Sequence, residues 1–435
     1  MKCILKYFNV LTIIFLVTGS LYSTEYWLRQ QSPTTKWLFK CSFADSLNGW
    51  AVGDSGIIIR TSNGGVNWII QSSQSNFFIH SVSFVNNSRG WCVANNLFNF
   101  SGSKILSTSN GGLNWNISSF PDTSIELYAI HFLDSFNGWV GGSGGRVFQT
   151  TNGGTSWILR QTDTTSCSGL PIFSFAFYNS RLAYACGGAI DYAGVAWRTT
   201  NFGNLWRSQC VGPEPVYDIF IFDSLNAIGS GGDFEFGVSI QKTTNNGTNW
   251  HYNTIGIFGK GEAISFRTRA EGWIATGFSS RFAFTVDSCR TWNEIFAPDT
   301  SSIYDIVFTD PYHGWAVGFN GVILKYNTAV IGIENGNMNL PSEYILHQNY
   351  PNPFNASSKF KFAVGIPSGQ ISRLSDVKLV VYDILGSEVT ILVNEKLEPG
   401  TYEIVFDGTN YPSGVYFYVL ETDGFKQSRK MVLVK

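Results

Sequence analysis

An eight-residue box, Thr-x-Asn-x-Gly-x-x-Trp, recurs along this chain and limits its possible folds more than any other feature. It reads TSNGGVNW (Thr61 to Trp68), TSNGGLNW (Thr108 to Trp115), TTNGGTSW (Thr150 to Trp157) and TTNFGNLW (Thr199 to Trp206). Two further copies are TTNNGTNW (Thr243 to Trp250) and the more divergent TVDSCRTW (Thr285 to Trp292). The tryptophans 68, 115, 157, 206, 250 and 292 lie 47, 42, 49, 44 and 42 residues apart. A period of about 40–50 residues filled with short apolar strands predicts the blades of a β-propeller.

A second motif precedes each box: an apolar strand, a tight polar turn, then Gly-Trp. The best copies are CSFADSLNGWAVG (Cys41 to Gly53), IHFLDSFNGWVGG (Ile130 to Gly142) and IVFTDPYHGWAVG (Ile306 to Gly318). Others start at Val82 and Ile264, and degenerate ones at Phe175 and Ile219. Seven units therefore face six boxes. The last unit runs through GVILKYN (Gly321 to Asn327) and lacks a tryptophan strand, whereas EYWLRQQ (Glu25 to Gln31) is such a strand without a unit. We expect Trp27 to supply the outer strand of the last blade, closing a ring of seven and leaving no open sheet edge. An open array of β-repeats is the competing arrangement, with both end blades incomplete.

Each blade reads as four strands, A to D from the centre outward, with the box as the C–D turn. Its glycine permits positive φ, its asparagine closes the turn, and its tryptophan packs between blades. Asp45, Asp134, Asp223 and Asp310 recur at the A–B turn as turn formers. Arg60, Arg198 and Lys242, just before boxes, read as features of the repeat.

Composition fits this reading: 435 residues, 14% charged, 16% aromatic and 45 glycines, a profile of turn-rich β-structure rather than disorder. With a formal net charge of −2 and no basic block, nothing favours nucleic acid as a partner. Lys2 and Lys6 before the apolar run Tyr7 to Val17, then Thr18, Gly19 and Ser20, predict a secretory signal over residues 1–23. The run is too short to span a membrane, and no later stretch is long enough. Of the six cysteines that follow, Cys41 and Cys92 read as buried strand residues. Cys167–Cys210, between successive D–A loops, is the expected disulfide. The five histidines share no metal-ligand spacing and no CxxC pair exists, so neither metal nor cofactor is expected.

After residue 327 the pattern stops. Residues 328–343 read as a linker, and residues 344–435 as a small antiparallel sandwich. Its strands are KLVVYDIL (Lys378 to Leu385), TYEIVFDG (Thr401 to Gly408), GVYFYVLE (Gly414 to Glu421) and RKMVLVK (Arg429 to Lys435).

The boxes resemble the Asp-box of sialidase-type propellers, with Asn in place of Asp in all but Asp287. Together with the GWAVG and GxIL elements, residues 24–327 more closely resemble the photosystem II assembly and stability factors. That resemblance implies a non-enzymatic assembly or binding propeller. LHQNYPNPFN (Leu346 to Asn355), VYDILGSEV (Val381 to Val389), LEPGTYEIVFDG (Leu397 to Gly408), SGVYFYVL (Ser413 to Leu420) and KMVLVK resemble the type A sorting domain of the type IX secretion system. Two departures are Ala356, where proline is usual, and a short insert near Gly369 to Ser375. The resemblance implies passage through the periplasm and across the outer membrane by the type IX machinery, to the cell surface or the medium.

Strand order puts the A–B and C–D turns on one face and the variable B–C and D–A loops on the other. These loops are Asn95 to Lys104, Ser118 to Glu126, Thr162 to Leu170, Gly187 to Gly194, Gln209 to Val216, Gly231 to Phe236 and Asn253 to Glu262. A rigid scaffold carries function on such loops, so this is the expected binding face for a protein or glycan. The alternative is a secreted glycoside hydrolase of the sialidase-like superfamily. Its catalytic candidates are Asp191, Asp233 and Glu235, with Glu214 and Glu262 as further carboxylates on the same face.

Overall fold

The box forms one hydrogen-bonded knot. Thr61 Oγ donates to Asn63 Oδ1 at 3.0 Å and accepts the Gly65 amide at 2.9 Å, while Asn63 Oδ1 also accepts the Asn67 amide at 2.9 Å. The other five boxes repeat these bonds, including the divergent copy built on Thr285 and Asp287. The bonds common to all six boxes use only one side-chain oxygen, as an acceptor, so asparagine serves where aspartate would. Two successive residues, not one, take positive φ: Gly64 and Gly65 in the first box, Phe202 and Gly203 in the fourth. At the A–B turn, Asp45 Oδ1 accepts the Leu47 and Asn48 amides, both at 2.7 Å. Asp134, Asp223 and Asp310 act in the same way.

The computed structural model describes residues 26–96, 102–163, 165, 167–330, 344–365, 375–397, 400–422 and 424–435. The secretory signal, most of the linker and most of the Gly369–Ser375 insert lie outside them. The chain divides into two compact units, Met1–Thr328 and Ala329–Lys435.

In the first unit the described residues form seven sheets, six of four strands and one of five. Their inner strands are Leu38–Phe43, Phe78–Phe84, Leu127–Phe132, Ile172–Phe177, Val216–Ile221, Ala263–Phe266 and Ile303–Asp310. Each packs against the next, and the last packs against the first. The fold is a β-propeller. Trp27–Arg29 pairs antiparallel with Ile323–Tyr326, Trp27 opposite Tyr326, as the outer strand of the seventh sheet. Trp27 is 1% exposed, stacked on Phe282 of the sixth blade at 5.1 Å and edge-on to Trp273 at 5.6 Å.

The fourth blade departs from four strands. Gln161–Thr162 runs parallel to Leu205–Gly212 as a fifth, outermost strand. A disulfide joins Cys167, in the loop that follows, to Cys210, with Cα atoms 6.0 Å apart. Cys210 sits on the strand Leu205–Gly212, one strand earlier than the loop the sequence suggested.

The tryptophan of Gly-Trp does more than the box tryptophan. Trp50 stacks on Phe84 of the next blade at 3.5 Å, and its indole N–H donates to the Gly111 carbonyl in that blade's box at 3.1 Å. Trp91 repeats this with Phe132 and Gly153, and Trp315 with Phe43 and Gly64. A Cβ on Gly49 would lie 2.2 Å from the Phe43 ring, so only glycine lets that ring cross the strand. Arg60 lies over Trp50 at 5.3 Å, and Arg198 donates to the Asn246 carbonyl, both scaffold roles.

The second unit is a sandwich of two sheets, Ile345–Leu346/Ser357–Val364/Gly400–Asp407 and Glu388–Leu397/Ser375–Tyr382/Gly414–Thr422/Phe425–Leu433. Ser357–Val364 and Glu388–Leu397 were not among the strands expected from sequence. The NPFN stretch pins the last strand: Asn352 Oδ1 accepts the Val432 amide at 2.9 Å, and Phe354 exchanges backbone bonds with Val432 and Val434.

Trp27→Ala is expected to cost about 3–5 kcal/mol, with Trp27→Phe intermediate, in urea unfolding followed by tryptophan fluorescence. The Cys167–Cys210 bridge closes a separation of 43 residues, for which chain entropy gives about 4 kcal/mol. Cys210→Ser should lower the unfolding midpoint accordingly, and reductant should then change nothing further.

Candidate functional site

An inner strand is an edge strand: one side pairs with strand B, while the other faces the channel with its amides open. Here, at five of the seven junctions, a side chain of one blade caps the edge of the next. Ser42 Oγ accepts the Phe84 amide, Ser83 Oγ that of Phe132 and Ser265 Oγ that of Phe308, at 3.0–3.1 Å. Asp218 and Asp305 do the same for Ile264 and Cys41. Lys40 meets Asp305 at 2.9 Å inside this layer. Burial opposes its charge, but the fields of Asp305 and Asp218 outweigh burial and keep the ammonium protonated.

Above this layer six of the seven inner strands carry a β-bulge at one register. The pairing with strand B slips between Leu38 and Lys40, Ile79 and Ser81, Leu127 and Ala129, Ile172 and Ser174, Val216 and Asp218, and Ile303 and Asp305. A bulge re-aims the extra residue. The extra residues are Phe39, His80, Tyr128, Phe173, Tyr217 and Tyr304, and all line one cavity of about 330 Å3. The sixth blade has no bulge and contributes Glu262 to the same wall.

The rings form a chain around the mouth. Centroid distances are 6.0 Å from Tyr304 to Phe39, 6.5 Å to His80, 5.7 Å to Tyr128, 6.0 Å to Phe173 and 5.5 Å to Tyr217. Glu262 fills the gap between Tyr217 and Tyr304. Trp37 and Phe278 extend the wall, and Lys40 also lines it. Two buried polar atoms here, His80 Nε2 and Tyr304 Oη, find no hydrogen-bond partner in the protein. Burial lowers the His80 pKa to about 4, so the imidazole is neutral at physiological pH. The box and Gly-Trp motifs do not single out this ring, although the sequence carries a signal for it. Each of the seven residues lies eleven positions before the tryptophan, or its substitute, of the Gly-Trp unit.

The expected carboxylates gather elsewhere on the same face. Asp191, Asp233 and Glu235 each bring an oxygen to within 4.8 Å of the others, and Glu214 Oε2 accepts the Asp191 amide at 3.3 Å. Burial, then the charges of Asp233, Asp191 and Glu235, push the Glu214 carboxyl up. The three oxygens are spaced as ligands of one hard cation would be. They form a cluster and do not line the ring cavity. Glu262, the fifth candidate, stands apart from them in the cavity wall.

A family model of the secretion system C-terminal sorting domain matches residues 348–435, and one of the photosynthesis system II assembly factor YCF48 matches residues 20–121. The chain carries a Ycf48-like propeller and a type IX sorting domain. That domain directs export by type IX secretion, to the cell surface or the medium. Among the described residues no helix is long and apolar enough to cross a membrane. Photosystem II assembly lipoprotein Ycf48 of Synechocystis sp. is 37% identical over 70 residues, which is 15% of this chain and 19% of that protein. A structure of YCF48 bound to D1 peptide matches with a TM-score of 0.57 and 21% identity, over 69% of this chain and 97% of the other. The GH74 xyloglucanase from Xanthomonas campestris matches with a TM-score of 0.53 and 12% identity, over 77% and 59%. At these identities the two structures share the fold alone.

Burial also lowers His131, stacked on Phe177, to about 4 from an ordinary 6.5. Between those values the unfolded chain binds protons at His80 and His131 that the folded chain does not. Stability is therefore complete above pH 6.5 and falls on acidification, by up to about 1.4 kcal/mol per pH unit for each histidine. Urea midpoints should drop between pH 7 and pH 5, and His131→Phe, which keeps the ring stack, should flatten that drop.

Proposed function

We propose that the exported chain is a non-enzymatic binding module that receives a protein or glycan ligand at the aromatic mouth. The carrying observation is the repeated bulge. Six strands spend a ladder position to turn a ring toward one cavity, and a mere scaffold has no use for that. The cavity is concave, aromatic-walled and supplied with a few polar groups, which is the usual make-up of a binding site. That a fold relative was solved bound to a peptide supports a polypeptide ligand.

The acid cluster is the one observation that favours the second reading, a glycoside hydrolase. Its three acids bring oxygens within 4.8 Å of one another, near the roughly 5–5.5 Å of a retaining pair, but they stand outside the aromatic-walled cavity.

Exposing the full-length exported chain to a glycan array and an immobilised peptide array tests this. Saturable binding is expected, weakened about tenfold or more by Tyr217→Ala with Tyr128→Ala, since each stacking ring is worth about 0.5–1.5 kcal/mol beyond its area. Product release from a bound glycan that disappears in Asp233→Asn or Glu235→Gln would replace this reading with the hydrolase.

A further inference from the structure

The mouth already holds a cation. The Lys260 ammonium lies 4.7 Å from the Tyr217 ring centroid and 5.7 Å from that of Phe234, and it pairs with Glu262 at 2.8 Å. An ammonium set over aromatic faces beside a carboxylate is a stable arrangement. The chain thus shows with its own side chain what this part of the wall accepts.

Two further observations point the same way. Tyr304 is only 9% exposed, lines the cavity and has a hydroxyl without a partner in the protein, as does the neutral His80 imidazole across from it. Both can accept a hydrogen bond from a ligand donor, and an ammonium or guanidinium is all donor. The charge balance also has a sign. Lys40 is matched by Asp305 at 2.9 Å and Lys260 by Glu262, which leaves Asp218 and the cluster of Asp191, Glu214, Asp233 and Glu235 in excess. That excess reaches the ring: the Tyr217 hydroxyl is pushed up by burial and then by Glu262, Glu214 and Asp233.

We propose that the occupant is a peptide segment whose lysine or arginine side chain enters the mouth between Tyr217, Tyr304 and Glu262. Its apolar neighbours lie on the exposed rings of Phe234, Phe258 and Phe278 at the rim. This rests on the reading of the mouth as the ligand site and names what that site selects. A neutral glycan would stack on the rings but gain nothing from the uncompensated acids. A free amine would leave the exposed rings uncovered.

Fluorescence anisotropy on the full-length exported chain tests this, using a fluorescein-labelled Gly/Ser peptide with a central Lys-Phe-Lys. The comparison probes are its Glu-Phe-Glu counterpart and a neutral xyloglucan oligosaccharide competitor. The lysine peptide should bind about tenfold or more tighter than the glutamate peptide, and less tightly as salt rises. Glu262→Gln, Tyr217→Leu and Tyr304→Phe should each weaken it about three- to thirtyfold, in variants whose melting temperature is retained. Lys260→Ala should strengthen it, because the resident ammonium no longer competes. Weakening by Lys260→Ala, or binding indifferent to Tyr217→Leu, would overturn the proposal. Preference for the glutamate peptide or the oligosaccharide, still sensitive to Tyr217→Leu, would overturn the cationic ligand and leave the mouth as the binding site. Absence of binding by all three probes would overturn it as well.

Discussion

The propeller depends on one contact made between blades: the tryptophan of Gly-Trp laid flat on the phenylalanine of the following inner strand. Trp50 on Phe84 and Trp91 on Phe132 are close and nearly parallel, and Trp315 on Phe43 carries the contact across the junction of the last and first blades. Each indole N–H then reaches the box of the blade it stacks on. One side chain thus supplies apolar area, ring stacking and a satisfied buried donor. It ties two recurring motifs, distant in sequence, into one joint. The joint is altered in the other four blades: Trp139 meets Phe177 tilted with its indole N–H unpartnered, and the Trp273 indole donates to Glu271 of its own blade. Tyr184 contacts Trp250 only edge-on, and Ile228 offers no ring at all.

The fourth blade, where Tyr184 stands in for tryptophan, is also the one with a fifth strand and a disulfide. The extra parallel strand and the Cys167–Cys210 bridge hold its outer region together from within the blade. The buried pair of Lys40 and Asp305 serves a comparable purpose at the centre, since it joins the first and seventh blades. Truncating either partner would leave a buried charge unmatched.

How much could be read from sequence depended on whether the information was local. The box announces itself because its threonine, asparagine and glycine bond to one another within eight positions, and the orphan Trp27 could be assigned by counting motifs. The sorting module was legible because its short stretches occur in order, yet Glu388–Leu397, whose alternation is irregular, escaped, as did Ser357–Val364 despite its regular alternation. The aromatic mouth was not seen because a bulge is a fact of pairing. One surplus residue in a strand of alternating character looks like any other, and only the ladder shows that Phe39 or Tyr128 has no partner. Strand order alone placed the carboxylates Asp191, Glu214, Asp233 and Glu235 together on the face of the B–C and D–A loops. Their gathering into a cluster separate from Glu262 came from loop geometry that spacing does not encode.

The serine and aspartate caps on the inner strands carry a consequence for recognition. Many β-rich receptors capture an extended ligand by letting it join an exposed sheet margin. Around this channel that route is obstructed on several strands, because the amides at Phe84, Phe132, Ile264 and Phe308 already have side-chain acceptors from the preceding blade. For the ligand proposed above, recognition at these strands falls to side chains rather than main chain, and selectivity to one wall position per blade, where a substitution would change the ligand while leaving the ring of blades intact.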